Sequence, residues 1–329
     1  MKKVSQEKPL LTLIVPVYNE ESSLNHFYDQ TCKCTESMGV EIEFLFINDG
    51  SEDNTLEMLR QLCRRDSRVR YLSFSRNFGK EAAMYAGLQY AGGDYAAIMD
   101  ADLQDPPELL PKMYDAVVAG DYDCAAARRV NRKGEGKIRS FCADCFYKIM
   151  TRLSGMNLMP GARDFQLMNR KMINAVLSLK EKSRFSKGIF EWVGFRKKWV
   201  EYENVERSSG CSKWSFGKLC RYALDGITSF STLPLQAAFI PGMICWIAAV
   251  ALLAVEISRF YVLSSDMRNW LLLFSFLMCL SGMQFFCMGI FGKYLGKTYE
   301  EVKHRPVYVM DECHLSERTE ENEDEQNAK

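Results

Sequence analysis

Two long stretches near the C-terminus of this 329-residue chain contain no charged residue. The first runs from Leu233 to Val255 (LPLQAAFIPGMICWIAAVALLAV) and the second from Trp270 to Phe291 (WLLLFSFLMCLSGMQFFCMGIF). A helix needs about 20 apolar residues to cross a hydrocarbon core of roughly 30 Å, and uncharged runs of that length are rare in soluble cores. The sequence therefore predicts two transmembrane helices with a short connector within residues 233–305; a pair of buried core helices is the alternative.

Basic residues flank these stretches on their outer sides. They are Arg207, Lys213, Lys218 and Arg221 before the first run and Lys293, Lys297, Lys303 and Arg305 after the second, whereas the connector has only Arg259 and Arg268. Because Lys and Arg favour the cytoplasmic side, we predict a multi-pass protein of the cell membrane whose N-terminal region and both termini are cytoplasmic. The apolar stretch near the N-terminus is short and is followed by acidic residues, so it indicates a strand rather than a signal peptide.

The segments on either side of the apolar runs differ in composition. Residues 206–232 include WSFGKLCRYALDGITSF, which interleaves aromatic and basic side chains. This pattern favours a helix lying in the membrane interface, with an ordinary packing helix as the alternative. Residues 306–329 become acidic and predict a disordered tail. Basic and acidic residues balance at 42 each, so the net charge gives no reason to expect a nucleic-acid partner.

From residue 10 to 127, short apolar runs alternate with amphipathic segments, as in βαβ units. The predicted strands are residues 10–17, 42–47, 69–74, 95–99 and 122–127, and the predicted helices are 21–38, 54–65, 80–91 and 107–119. The runs LLTLIVPV and IEFLFI are continuously apolar, which is typical of parallel strands buried on both faces. The sequence predicts an α/β domain with a mostly parallel, Rossmann-like sheet over residues 1–205.

Polar or charged residues follow every predicted strand. They are Asn19-Glu20-Glu21, Asn48-Asp49-Gly50-Ser51, Ser75-Arg76-Asn77, Asp100-Ala101-Asp102 and Arg128-Arg129. Ligands of open parallel sheets bind beyond the carboxyl ends of the strands, so these residues predict one site. No GxGxxG follows the first strand and no GxxxxGK[ST] occurs, which disfavours a nicotinamide dehydrogenase or a P-loop nucleotidase.

The sharpest local signal is Asp100-Ala101-Asp102-Leu103-Gln104. In an extended segment, side chains two apart share a face, so Asp100, Asp102 and Gln104 would present three oxygen donors together. Such donors suit Mg²⁺ or Mn²⁺. An acidic loop without a metal is the alternative, but the position at a strand end favours the metal.

Three segments together resemble a known family. The runs IVPVYNEE, INDGSEDNT and SRNFGKEAAMYAGLQYAGGDYAAIMDADLQDPPE are similar to family 2 glycosyltransferases of GT-A fold, and most of all to the polyprenyl-phosphate glycosyltransferases. That subgroup includes dolichyl-phosphate mannose synthases and bactoprenol glucosyltransferases, and two C-terminal spans match the latter. The resemblance covers about residues 10–305. The QxxRW motif of the processive synthases is missing from RFSKGIFEWVGF, which argues against a polymerase.

The resemblance implies roles on the donor side. Nucleotide-sugar contacts would come from Pro16, Tyr18, Glu20, Asp49, Asp100 and Ala101. The metal ion would be held by Asp102 and Gln104, with Asp100 beside it. For Pro16 and Tyr18, packing at the strand end is the alternative.

On the acceptor side, a basic segment from Arg128 to Arg139 follows the fifth predicted strand. Guanidinium groups offset the repulsion between an acceptor phosphate and a donor diphosphate. The resemblance implies phosphate contacts from Arg128 and Arg139, and from Lys213 in RSSGCSKW. It also implies catalytic roles for Asp102 and for Asp164 in GARDFQLM, the latter as a base or as an orienting group; a helix N-cap is the alternative for Asp164.

The resemblance thus implies an inverting enzyme that moves one sugar from a nucleotide-sugar to a polyprenyl phosphate. It favours a UDP-sugar over a GDP-sugar, UDP-glucose above others, and undecaprenyl phosphate as acceptor. It further implies a homo-oligomer, often a tetramer in bacterial members, and a separate small flippase. Two other hypotheses stay open: a transferase with another lipid or glycan acceptor, and a non-catalytic sugar-nucleotide-binding scaffold, against which the intact Asp100, Asp102 and Gln104 argue.

Overall fold

The computed structural model describes residues 8–130, 159–182, 184–203 and 270–315, with a few isolated positions between 235 and 251. The chain divides into two compact units. The first comprises Met1–Phe216 and Pro306–Lys329, and the second comprises Gly217–Arg305. The predicted interface segment and most of the first apolar run lie outside the described residues.

The first unit is built on one eight-stranded sheet. Its strands are β1 (Leu10–Val17), β2 (Glu41–Asn48), β3 (Val69–Phe74), β4 (Tyr95–Ile98), β5 (Cys124–Arg129), β6 (Ala162–Asn169), β7 (Lys197–Tyr202) and β8 (Met310–His314). The five strands predicted from the sequence are β1 to β5, each present within two residues of its expected bounds.

Six helices of the described residues belong to this unit. They are α1 (Leu24–Thr35), α2 (Thr55–Arg65), α3 (Lys80–Tyr90), α4 (Leu109–Val118), α5 (Arg170–Ser178) and α6 (Ser186–Trp192). The four predicted helices correspond to α1 to α4. The helix expected over 21–38 is shorter at both ends, because residues 21–23 form a turn before α1 and residues 36–37 form a turn after it.

The strand order is β7-β5-β6-β4-β1-β2-β3-β8. Strands β1, β2, β3 and β4 are mutually parallel, and β6 is antiparallel to both β4 and β5. All five predicted strands therefore run in one direction, and their carboxyl ends lie at the same edge. The reversed strand β6 begins at that edge, so its first residues join the strand ends.

Buried aromatic and aliphatic side chains fix this sheet in place. Phe44 and Phe46 stack with ring centroids 6.3 Å apart, and Phe27 of α1 meets Phe46 edge-on at 6.4 Å. On β1, Ile14 lies so close to Gly87 of α3 that a Cβ there would stand 2.1 Å from Ile14 Cγ2. This close packing holds α3, and with it the N-terminus of that helix, against the central strand.

The predicted disorder of residues 306–329 is wrong for Met310–His314. These residues form β8, which lies at the edge of the sheet and pairs antiparallel with β3, Tyr71 opposite His314. Without β8, strand β3 would be the edge strand with unpaired backbone groups on its outer side, and β8 pairs with these groups. Its Glu312 also accepts hydrogen bonds from Arg60 (Nε, 3.0 Å) and Tyr71, which explains why an acidic segment orders here.

In the second unit, a 33-residue helix α7 (Trp270–Val302) contains the second apolar run and continues beyond it. Within the described part of the chain, no helix has both the length and the apolarity needed to cross a membrane.

Candidate active site

The loops after β1 and β2 are joined by hydrogen bonds. The Asn19 amide donates to Ser51 Oγ (3.0 Å), and Asn19 Oδ1 accepts from the Glu52 amide (2.9 Å). The Glu20 amide donates to Thr55 Oγ1 (2.9 Å). Asn19 adopts a φ of 53°, a left-handed conformation that Asn tolerates better than most residues. These contacts bring the first two predicted polar clusters into one rigid surface.

Three residues expected to hold the nucleotide lie on this surface. Pro16 lies near the end of β1 and is half-buried, and Tyr18 follows the strand with 38% of its surface exposed. The Glu20 carboxylate accepts a hydrogen bond from Ser23. The arrangement leaves the Tyr18 ring accessible to a ligand, while the contacts of all three with a nucleotide stay a prediction.

Asp49 is buried and organises the neighbouring loop. Its carboxylate accepts from the backbone amides of Phe78 (2.6 Å) and Gly79 (2.9 Å), just before α3. Burial raises the pKa of Asp49, and these two amides lower it in part. Gly50, with φ +65°, lies against the same loop, since a Cβ there would stand 2.3 Å from the Arg76 carbonyl carbon. Asp49 thus positions the β3–α3 loop, and its predicted contact with the nucleotide is untested.

The segment after β4 is a turn. Strand β4 ends at Ile98, and Ala101 and Asp102 form the turn that follows. The expectation that Asp100, Asp102 and Gln104 share a face through strand alternation is therefore wrong, because the alternation requires an extended backbone. Ala101 is buried, and Leu103 adopts a φ of 55°.

Within this turn the polar groups have separate partners. Asp102 Oδ1 accepts from the Gln104 amide (3.1 Å), and Gln104 Oε1 accepts from Arg163 Nη2 (3.2 Å). Arg163 Nε also donates to the buried Asp105 (2.8 Å), which accepts from the Tyr202 hydroxyl as well. Asp105 therefore anchors the turn to β6 and β7.

Lys80, the first residue of α3, links the turn to strand β6. Its Nζ lies 2.6 Å from Asp100 Oδ1 and 2.6 Å from Asp164 Oδ2. Ile98 pairs with Gln166 across β4 and β6, and continuing that register places Asp100 opposite Asp164. Asp164 lies in a strand, so the alternative of a helix N-cap is wrong.

The surroundings of Asp164 determine its ionisation. Burial would raise its pKa, but Lys80 and Lys187 more than offset that effect and hold the pKa well below the ordinary range of an aspartate. Lys187 Nζ lies 3.9 Å from Asp164 Oδ1 and 3.3 Å from the Ala162 carbonyl oxygen, to which it donates. The carboxylate is thus held ionised between two ammonium groups.

Sequence reasoning missed Lys80 and Lys187. A signal for Lys80 does exist: a cation in the first turn of a helix opposes the helix dipole, so such a lysine needs a compensating partner. For Lys187 the sequence holds no comparable signal, because its contact with Asp164 depends on the packing of α6.

Arg128, one of the three predicted phosphate contacts, is paired within the protein. Its Nη1 lies 3.0 Å from Glu201 Oε1, and its Nε donates to the Pro160 carbonyl oxygen (3.2 Å). The other two predicted phosphate contacts, Arg139 and Lys213, lie outside the described residues.

The side chains of the turn offer oxygen donors to a divalent cation. In the described part of the chain, no three His, Cys, Asp or Glu side chains form a metal-binding group, and the predicted set has only two carboxylates with an amide oxygen. Burial raises the pKa of Asp102, and the negative charge of Asp100 raises it further. A bound cation would lower the pKa of Asp102 against both effects. Gln104 Oε1 keeps a lone pair beyond its bond to Arg163. Asp100, Asp102 and Gln104 therefore supply oxygen donors of the kind that Mg²⁺ and Mn²⁺ prefer.

Comparison with known proteins agrees with the fold. Glucosyl-3-phosphoglycerate synthase from Mycobacterium tuberculosis, solved with Mn²⁺, UDP and phosphoglyceric acid, superposes with a TM-score of 0.50 and 16% identity, over 67% of this chain and 76% of that chain. The α/β architecture is the GT-A fold, and its mostly parallel sheet confirms the prediction.

Sequence relatives identify the family. The model of glycosyl transferase family 2 matches residues 12–177. A putative glycosyltransferase of Bacillus subtilis is 39% identical, covering 93% of this chain and 92% of its own length. The bactoprenol glucosyl transferase of Shigella phage SfV is 38% identical over 91% of this chain and 97% of its own. The fold and site thus define a glycosyltransferase. The chain belongs to glycosyl transferase family 2.

Proposed function

We propose that this glycosyltransferase moves a single sugar from a nucleotide-sugar to a polyprenyl phosphate, with UDP-glucose as donor and undecaprenyl phosphate as acceptor. The observation that carries the proposal is the similarity to bactoprenol glucosyl transferase, which extends over 91% of this chain and 97% of that protein. The structural neighbour from Mycobacterium tuberculosis holds UDP and Mn²⁺, in keeping with a UDP-sugar donor and a divalent cation.

On the donor side, the surface formed by the loops after β1 and β2 would receive the nucleotide, with Tyr18 accessible to the base. Asp102, Gln104 and Asp100 would hold Mg²⁺ or Mn²⁺, which would neutralise the charge that develops on the leaving diphosphate. Asp105 and Arg163 would keep this turn in place. The rigid turn reduces the reorganisation needed when the donor binds.

On the acceptor side, a phosphate oxygen of the lipid would attack the anomeric carbon while the bond from that carbon to the diphosphate breaks. The nucleoside diphosphate leaves with the electron pair, and in-line displacement inverts the anomeric centre. A phosphate monoester, with a second pKa of ~6, is mostly a dianion at neutral pH and needs no base. Asp164 would therefore orient the acceptor or the sugar hydroxyls rather than remove a proton.

We further propose that the two apolar runs anchor the enzyme in the cell membrane, with the catalytic domain and both termini in the cytoplasm. The uncharged length of the runs in the sequence supports this, as do the large exposed apolar side chains of α7, among them Phe285, Phe286 and Met288. Reporter fusions at each terminus test the topology. A reporter active only on the outer side would contradict it. The homo-oligomer and the flippase stay predictions.

The reaction is tested with purified protein in detergent, Mg²⁺ or Mn²⁺, undecaprenyl phosphate and a panel of UDP- and GDP-sugars. Release of nucleoside diphosphate is measured with and without the lipid. We expect release from UDP-glucose that requires the lipid and stops on addition of EDTA. Equal release without lipid would contradict the proposed acceptor, because the sugar would then be passing to water or to another acceptor.

A further inference from the structure

The ammonium group of Lys80 joins two carboxylates from separate elements. Its Nζ lies 2.6 and 2.8 Å from the two oxygens of Asp100, which follows β4, and 2.6 Å from Asp164 Oδ2, near the start of β6. Asp100 belongs to the donor side of the proposed function and Asp164 to the acceptor side. Without a cation between them, two partly buried carboxylates would repel each other.

We propose that Lys80 is a positioning residue that holds Asp100 and Asp164 in a fixed relation and competes with the divalent cation for Asp100. The assignment of the two sides rests on the proposed function. The competition follows from charge alone, since Asp100 is shared between an ammonium and any cation that binds at the turn.

Hydrogen bonds of the residues just before and just after Lys80 fix the position of its ammonium group. Just before Lys80, the amides of Phe78 and Gly79 donate to the buried Asp49. Just after it, the Glu81 carboxylate accepts from the amide of Ser186 (2.9 Å) and from its hydroxyl. The residues on both sides of Lys80 are therefore fixed by hydrogen bonds, which holds the backbone from which the Lys80 side chain reaches the two aspartates.

The other charged groups at the site have different partners. Arg163 is paired with the buried Asp105, and Lys187 contacts Asp164 and the Ala162 carbonyl oxygen. Lys80 is thus the one lysine of the described residues with contacts to both Asp100 and Asp164. Removing its charge should have two opposite effects. Asp100 becomes more available to a cation, and Asp164 loses its fixed orientation.

The test is Lys80→Met in the full-length protein in detergent. Binding of Mn²⁺ alone is measured from the electron paramagnetic resonance signal of free Mn²⁺, with no sugar-nucleotide or lipid present. We expect the Kd for Mn²⁺ to fall about fivefold or more, because a competing positive charge is removed. In the lipid-dependent assay we expect kcat to fall about 10- to 100-fold with a smaller change in donor KM, because the acceptor side loses its orientation.

Two further variants separate positioning from stability. Lys80→Arg keeps the charge, so it should restore the wild-type Kd for Mn²⁺ and part of kcat. Lys187→Met removes a lysine next to Asp164 alone, so its Kd for Mn²⁺ should stay unchanged. Lys80→Gln serves as a second neutral variant if Lys80→Met does not fold. Unchanged or weaker Mn²⁺ binding in a folded neutral variant would overturn the proposal.

The Mn²⁺ titration needs neither the sugar donor nor the lipid. Suppose that the wild-type protein fails the lipid-dependent assay while Lys80→Met still binds Mn²⁺ more tightly than wild type. That result would contradict the proposed acceptor and leave the competition at Asp100 supported. The reverse result, lipid-dependent release with no change in Kd, would overturn the role of Lys80 and leave the proposed function intact.

Discussion

At the scale of single residues, the ionisation of Asp164 limits the chemistry that this carboxylate can perform. Burial alone would favour the neutral acid, but Lys80 and Lys187 outweigh it and keep the pKa well below the ordinary value. A carboxylate that binds protons so weakly is a poor general base at neutral pH. Its two lysine partners instead give it a defined direction, as expected of a group that orients a ligand.

This difference is measurable in the pH dependence of kcat/KM. If the acceptor phosphate is the nucleophile, activity should fall as pH drops below its second pKa near ~6, and this fall should be the same in Asp164→Asn. The variant should have a kcat lower by about 10- to 100-fold, because orientation is lost. A wild-type acid limb that disappears in Asp164→Asn would show that Asp164 is the base after all.

Gly39 and Gly50 have nearly equal φ but different surroundings, so replacing each with alanine distinguishes the cost of backbone strain from the cost of a steric clash. Gly39 has a φ of +64° with open space where a Cβ would stand, whereas Gly50 has +65° with backbone atoms of Arg76 2.3 Å from that position. We expect Gly39→Ala to cost about 1 kcal/mol from the left-handed conformation alone. Gly50→Ala should cost at least about 2 kcal/mol more, because two loops of the site must separate. Thermal unfolding of both variants measures the difference, and equal losses would contradict the close approach.

At the scale of elements, the sequence pattern was informative where a strand or helix is defined by its own periodicity. Strands β1 to β5 and helices α1 to α4 could be predicted because their apolar runs are continuous or regularly spaced. Strand β6 could not, since its first three residues, Ala162-Arg163-Asp164, are only partly buried and include two charged residues. Strand β8 could not either, because an acidic pentapeptide becomes ordered only through partners such as Arg60, 252 residues away in the sequence.

Strand β8 should depend on pH through Glu312. Hydrogen bonds from Arg60 and then Tyr71 lower its pKa from 4.5 to about 2. A depressed pKa stabilises the folded state above the unfolded value, so this contribution is complete above about pH 4.5 and is lost as pH falls towards about 2. Glu312→Gln should remove about 1 kcal/mol at neutral pH and flatten the dependence. Hydrogen exchange of the β8 amides measures it, with the exposed neighbour variant Asp311→Asn as control; equal effects would contradict the role of Glu312.

At the scale of the whole molecule, the candidate site could be located from the sequence but not assembled from it. The convergence of five strand ends was predictable because parallel strands end at one edge. The partners within the site were not, since Lys80, Asp100 and Asp164 meet only when a reversed strand pairs with β4. Local sequence patterns carry no information on which strand reverses. The C-terminal strand β8 likewise depends on residues far away in the sequence, those of β3 and Arg60.

The first unit takes its residues from both sides of the second, which gives a prediction about fragments. A fragment of residues 1–216 lacks β8 and exposes the edge of β3 together with Arg60 and Tyr71, which lose Glu312. Exposed strand edges promote association, so this fragment should aggregate at a lower temperature than one in which a flexible linker joins residue 216 to residues 306–316. Light scattering during heating measures the difference. The joined fragment carrying Glu312→Gln should fall between the two, because the backbone pairing of β8 remains while the ion pair is lost. If all three fragments aggregate at the same temperature, β8 does not protect the outer side of β3.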